Sequence, residues 1–356
     1  MHGEWKQFLA DAGAEFDEGG DSVKHFGTPE REASMALTGN VFADLSHLGL
    51  ISVQGTDARD FLQAQLTSDV GQVSADTTRL AGLCDARGRL LAIVRLIAMG
   101  NIVYLSLPRP LVSKTIEHLK KYVLRAKVSL DDASDHFVRL GVAGTGAASE
   151  LAAAAGTTIP DAANTCTAAG KTLIIALPDP RPRFEVLTDE ATARRWWDRL
   201  NVQCAPVGED AWHLLDHHAG LPLLHPATVG MFIPQTMNLE LVQGVDFRKG
   251  CYPGQEVIAR LQHRSAAKRR MVRVRVGTDQ RPQPGAPVFG AASAGQPVGH
   301  VADARPDADQ GYSLLIVVRT TNITEDALHL EDSEGPALTL QTLPYAIPGT
   351  TGGDPD

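Results

Sequence analysis

Three largely apolar stretches, residues 79–84, 89–98 and 102–107, follow one another with only Asp85-Ala86-Arg87-Gly88 and Met99-Gly100-Asn101 between them. Links this short leave no room for a crossover helix, so the strands must run as an antiparallel meander. A regular βαβ alternation is thereby excluded, and the chain is expected to be α+β. Residues 50–53 read as a strand, Gly55 as a turn, and Thr56 or Asp57 as the N-cap of a helix with Ala58, Phe61, Leu62 and Leu66 facing inward. Pro110 opens a helix through about Leu124, and a strand near 127–130 precedes the polar run 131–135.

A second mixed set begins at Phe137: strand 137–142, an alanine-rich helix from about Ala147, strands 172–177 and 183–187, and helix 190–200. Its first turn, Gly144-Thr145-Gly146, has Ser149 where a dinucleotide loop needs its third glycine, so the helix is read as packing. From Met271 the pattern turns to β. Val272, Val274 and Val276 alternate inward, Arg273 and Arg275 are expected to face water, and 311–318 is a further strand. The expected organisation is an α+β subdomain at 1–135, a second at 136–270, a small C-terminal β-barrel at 271–346 and a disordered tail at 347–356.

Composition narrows the function. A net charge of -9 and 5% aromatic residues argue against a surface built for nucleic acid, and no direct nucleic-acid partner is expected. No apolar run approaches the ~20 residues of a membrane span, and residues 1–10 lack a signal-peptide pattern. A cytoplasmic protein without a membrane partner is expected. Cys84, Cys166, Cys204 and Cys251 are scattered, with no CxxC pair or Cys/His spacing for zinc or a cluster. His213 and His217, at i,i+4, lack the HExxH glutamate and read as ordinary helix histidines, so no metal site is expected.

The densest chemistry lies in Lys249-Gly250-Cys251-Tyr252-Pro253-Gly254-Gln255-Glu256. Pro253-Gly254 suits the centre of a type II turn, and Val257, Ile258 and Leu261 form a helical stripe over 255–262, on which Glu256 and Arg260 can pair. The positive end of that helix and the charge of Lys249 would both favour a thiolate at Cys251. The same residues also suit a cysteine packed in a tight corner. Downstream, Arg264 and Lys268 either attract an anionic ligand, such as the carboxylates of a glutamate tail or a nucleic-acid backbone, or simply face water.

This stretch resembles the KGCYxGQE motif of the YgfZ family, folate-binding proteins related to the T-protein (aminomethyltransferase) of glycine cleavage. Other blocks carry the resemblance over residues 40 to 275: Gly55-Thr56-Asp57-Ala58, Phe61-Leu62-Gln63, Thr67-Ser68-Asp69-Val70, Cys84-Asp85-Ala86-Arg87-Gly88-Arg89, the helix exit 122–128, Ala219-Gly220-Leu221-Pro222, Phe232-Ile233-Pro234-Gln235 and Asn238-Leu239. The resemblance implies a ring of three subdomains around a channel for tetrahydrofolate or a one-carbon derivative. It also implies a role in assembly or repair of iron–sulfur clusters, with cluster-dependent enzymes, tRNA-modifying ones among them, or cluster assembly proteins as partners. Cys251 is then the reactive group, and Lys249, Gly250, Tyr252, Gln255, Glu256, Arg260 and Arg264 are the expected cofactor-binding residues. The alternative is a folate-dependent aminomethyl or one-carbon transferase. T-proteins carry acidic residues after the glycines matching Gly88-Arg89, where this chain has Leu90, Leu91, Ala92 and Ile93. It also has Asp216 and His218 where T-proteins carry arginine and glutamate. Other YgfZ proteins usually have arginine at His218 and glycine at Ser265.

Overall fold

The computed structural model describes residues 1, 3–264, 267–291, 293, 295–325 and 327–348. The chain folds into two compact units, each assembled from three stretches: Met1–Phe61, Val70–Arg79 and Arg95–Asp216 form the first, and Leu62–Asp69, Leu80–Val94 and His217–Asp356 the second. The expected tail falls outside the described residues from 349 onward.

In the first unit a six-stranded sheet runs in the order Cys166–Ala169, Thr172–Ala176, Arg183–Thr188, Val138–Ala143, Val41–Asp44, Ala205–Val207. Every pairing is antiparallel except the last. The strands form because runs such as Thr-Leu-Ile-Ile-Ala and Val-Arg-Leu-Gly-Val-Ala are buried along their whole length and are rich in branched side chains that pack on a pleated surface. Helices Ala147–Ala155 and Glu190–Leu200 contribute to one aromatic-rich core. There Phe42 meets Trp197 edge to face at 4.6 Å, a geometry worth about 0.5–1.5 kcal/mol beyond area burial. The Asp189 side chain caps the second helix through Thr192 N at 2.9 Å. Helices Gly3–Asp11 and Pro29–Thr38 and the short strands Val41–Asp44, Cys166–Ala169 and Ala205–Val207 were not legible in the sequence. Strands of three or four residues carry too little periodicity to read.

The meander is present. Arg79–Cys84, Leu90–Met99 and Ile102–Pro108 are successive neighbours in a second sheet, followed by Leu48–Gln54 and Ser129–Asp132. The helix after Gly55 covers only Ala58–Gln63, and Leu66, though buried, lies beyond it. Asp57 turns its carboxylate to the Lys127 amide at 2.8 Å.

The second unit contains a closed six-stranded barrel in the order Arg269–Val276, Tyr312–Arg319, Pro297–Pro306, Pro287–Gly290, Leu328–Leu330, Ala337–Gln341. Val272, Val274 and Val276 enter its core beside Val288, Val301, Leu314 and Ile316, each fully buried branched side chain contributing about 1.5–3 kcal/mol. The opposite face of the first strand departs from expectation. Arg273 is 9% exposed rather than facing water. Residues 234–240 cover this strand: Asn238 donates to Met271 O at 2.8 Å, Arg270 donates to Gln235 O at 2.8 Å, and Arg270 pairs with Glu240. Arg275, further along, is half-exposed and pairs with Asp307 at 3.3 Å.

Candidate functional site

The cysteine turn lies wholly within the second unit. Gly254 has φ +80° and Gln255 N donates to Tyr252 O at 3.2 Å, which makes Tyr252 to Gln255 the expected type II turn. A methyl group on Gly254 would stand 2.5 Å from Gly88 Cα and 2.7 Å from Asp85 O. Gly88 itself has φ +75°. The two glycines therefore allow two turns to touch backbone to backbone, which no side chain permits. The Gly88 turn is tied by Asp85, whose Oδ1 accepts the Arg87 and Arg89 amides at 2.8 and 2.9 Å.

Helix Gln255–Arg264 follows at once. Ile258 is its buried anchor, and Gln235 Nε2 donates to the Ile258 carbonyl at 2.6 Å. Val257, expected on the inward stripe, is exposed, because it sits one position, about 100° of helix, away from Ile258. Glu256 and Arg260 pair at 2.7 Å with both side chains exposed, an arrangement worth about 0.3–0.5 kcal/mol. Gln255 is half-buried. Arg264 ends the helix, with its side chain outside the described residues, as is Ser265; Lys268 is exposed.

Lys249 is placed differently from expectation. Its Nζ donates to the carbonyls of Gln63, at 2.6 Å, and Leu66, and lies 5.1 Å from the centre of the Tyr252 ring. Burial pulls the ammonium down to about 8, against the opposing pull of Asp69 and Asp246. Its hydrogen bonds thus serve the end of helix Ala58–Gln63. Tyr252 is buried, which pushes its hydroxyl up. Gly250 has open space around it, and Cys251 is exposed, whereas Cys84, Cys166 and Cys204 are all buried. Burial raises the Cys166 and Cys204 thiols to about 11 and pushes Cys84 up further.

Several of the sequence blocks are bonded to one another within the second unit. Thr67 Oγ1 donates to Gly244 O at 2.6 Å and accepts from Gly82 N at 2.7 Å, while Asp246 N donates to Thr67 O at 2.9 Å. Leu90 N donates to Phe232 O at 2.8 Å. Leu90, Ala92 and Ile93 are buried apolar side chains, so residues 90–93 supply no carboxylate.

A group of buried polar atoms escaped the sequence reading. Gln235 Oε1, Asn238 Oδ1, Glu240 Oε2, Arg270 Nε and Arg273 Nε have no hydrogen-bond partner, although such atoms are costly to bury alone. Gln235 and Asn238 stand in blocks that carry the family resemblance, and Glu240 is a lone glutamate in an otherwise uncharged stretch, but nothing local says that these groups meet Arg270 and Arg273. His218 is brought down to about 4 by burial, then by Arg273 and His217, so it is neutral at neutral pH. His217 and His225 both bond Asp303, at 3.0 and 2.8 Å. Burial raises that carboxyl, but Arg305 and the two histidines outweigh it and hold it well below the usual range. In the first unit His213 bonds Asp216 at 2.6 Å, so His213 and His217 serve different carboxylates.

A family profile described as the GCVT N-terminal domain matches residues 8–174. The tRNA-modifying protein YgfZ of Edwardsiella ictaluri is 32% identical over 298 residues, covering 83% of this chain and 89% of that protein. Its counterpart from Klebsiella pneumoniae is 31% identical over 321 residues, covering 90% and 97%. Among solved structures, the glycine cleavage aminomethyltransferase T of Bartonella henselae superposes with a TM-score of 0.78 over 96% of both chains at 20% identity. That likeness shows a shared fold.

Proposed function

Because the chain belongs to the YgfZ family, we propose that it is a tetrahydrofolate-binding accessory protein for assembly or repair of iron–sulfur clusters. Cluster-dependent enzymes, including tRNA-modifying ones, are its proposed beneficiaries, in keeping with the name its relatives carry. The observation that carries the reading is the contrast among the thiols: Cys251 alone is exposed, on a turn whose backbone is held by Gly88, while the other three are buried. A buried thiol is a packing element, and an accessible one can react.

The residues present fit a reduced pteridine. Its amino and ring N–H groups need acceptors and its oxo group needs donors; Asn238 Oδ1, Glu240 Oε2, Arg270 Nε and Arg273 Nε offer both kinds, buried and unpartnered. These side chains would hold the folate, which when bound supplies a redox-labile one-carbon carrier. Burial raises the Glu240 carboxyl, and Arg270 opposes the rise. Lys249 and Tyr252 brace the turn from inside, Glu256 and Arg260 steady the outer face of the helix, and Cys251 is left open to a cluster or a partner thiol. Aminomethyl transfer has no carboxylate at 90–93 to manage charge at the folate nitrogen.

Calorimetric titration with tetrahydrofolate is expected to show one saturable site that weakens when Glu240 is replaced by glutamine. Absence of saturable heat would remove the folate part. Cys251→Ala should bind folate normally yet fail to restore cluster enzymes in a deletion strain, and full rescue would reject the thiol's role.

A further inference from the structure

The turn that packs on Gly254 presents two cations that the cysteine chemistry leaves unused. Arg87 and Arg89 line a cavity of about 490 Å3 together with Arg269, His300, Phe232 and Val317. All of these residues belong to the second unit. Its size is that of a small-molecule site, and its lining holds three guanidiniums and no carboxylate. Arg89 donates to Gly230 O at 2.8 Å, whereas Arg87 and Arg269 form no ion pair among the described residues.

The turn that carries two of the three cations is fixed at its backbone, and the Arg89 guanidinium is itself held by Gly230 O. The Asp85 carboxylate clamps the Arg87 and Arg89 amides, and Gly88 between them rests against Gly254. Like charges gathered around one cavity repel unless an anion enters. A single carboxylate would leave most of that charge unmatched. A phosphate monoester brings up to two negative charges and three acceptor oxygens, which suit guanidinium forks. Burial, and then Arg269, lower His300, so at neutral pH it offers a neutral donor and acceptor. Phe232 and Val317 are buried and give the cavity an apolar wall.

We propose that this cavity binds the phosphate monoester of a small, partly apolar molecule, with Arg87, Arg89 and Arg269 on the phosphate and Phe232 and Val317 against the remainder. The site goes beyond the folate reading and does not depend on it. The test is calorimetry on the full chain with phenyl phosphate, inorganic phosphate and benzoate, each with and without saturating tetrahydrofolate. Phenyl phosphate should bind saturably, more tightly than inorganic phosphate or benzoate, with unchanged affinity in the presence of tetrahydrofolate. Arg269→Gln should weaken it at least about tenfold, the scale of one lost charge-assisted hydrogen-bond pair. Arg87→Gln, on an exposed turn, should do the same if Arg269→Gln fails to fold. Absence of saturable phenyl phosphate binding, or unchanged affinity in a folded variant, would overturn the proposal. So would displacement by tetrahydrofolate, which would assign the cavity to the folate.

Discussion

Two glycine turns lead into helices, one in each unit, and they are built to opposite ends. In the first unit Gly144, at φ +125°, precedes helix Ala147–Ala155, and a methyl group on it would stand 2.4 Å from Asn40 Oδ1 and 2.6 Å from Gly39 O. Asn40 Oδ1 also accepts the Gly146 amide at 2.9 Å, so this chain itself occupies the mouth of the turn. In the second unit Gly254 is as tightly constrained by Gly88, yet the residues just before its turn, Gly250 and Cys251, are exposed. Glycine in such a turn reports close backbone approach in both places. Function is told by what stays accessible beside it.

The largest effects should come from the glycines themselves. Gly144→Ala and Gly254→Ala each combine a strained positive φ with a backbone clash and should cost about 2–4 kcal/mol in denaturant unfolding. Only the second should also change the alkylation rate of Cys251; an equal change from both would break the comparison. Next, Lys249→Met strips the Gln63 and Leu66 carbonyls of their donor and should cost about 1–2 kcal/mol, whereas a neutral outcome would show that the ammonium is not a brace. Asn40→Ala should cost about 1 kcal/mol, the scale of a lost cap, measured as a lower melting temperature. Cys251→Ala, on the open turn, should shift stability by less than about 0.5 kcal/mol. In the folded wild type at pH 8, iodoacetamide counted by intact mass should add to one thiol, and to all four after denaturation.

A separate test lies in pH. Lys249 titrates at about 8 in the folded chain, against an ordinary 10.5, so between those values the unfolded chain binds more protons. Its contribution to stability therefore rises as pH climbs from about 8 to 10.5 and is flat below. The stability difference between wild type and Lys249→Met should shift toward wild type across that window. A flat difference would mean that burial does not penalise the charge.

Much of this could be read along the chain. The meander follows from link length, the type II turn from Pro253-Gly254, and the barrel's first strand from alternating valines. All of these depend on residues within a few positions of one another, where backbone sterics and hydrophobic period decide the outcome. The side-chain directions of Lys249 and Arg273 did not follow. Taken within its own segment, Arg273 reads as solvent-facing and Lys249 as a charge directed at Cys251. Lys249 reaches carbonyls more than 180 residues earlier, and Arg273 is buried on a strand covered by residues 234–240. Desolvation and hydrogen-bond partners are set by whatever the fold brings alongside. The sequence determined that a thiol stands between a lysine and a glycine turn. Tertiary structure decided that the lysine turns inward, that Gly88 holds the turn, and that Cys251 alone among the thiols stays open.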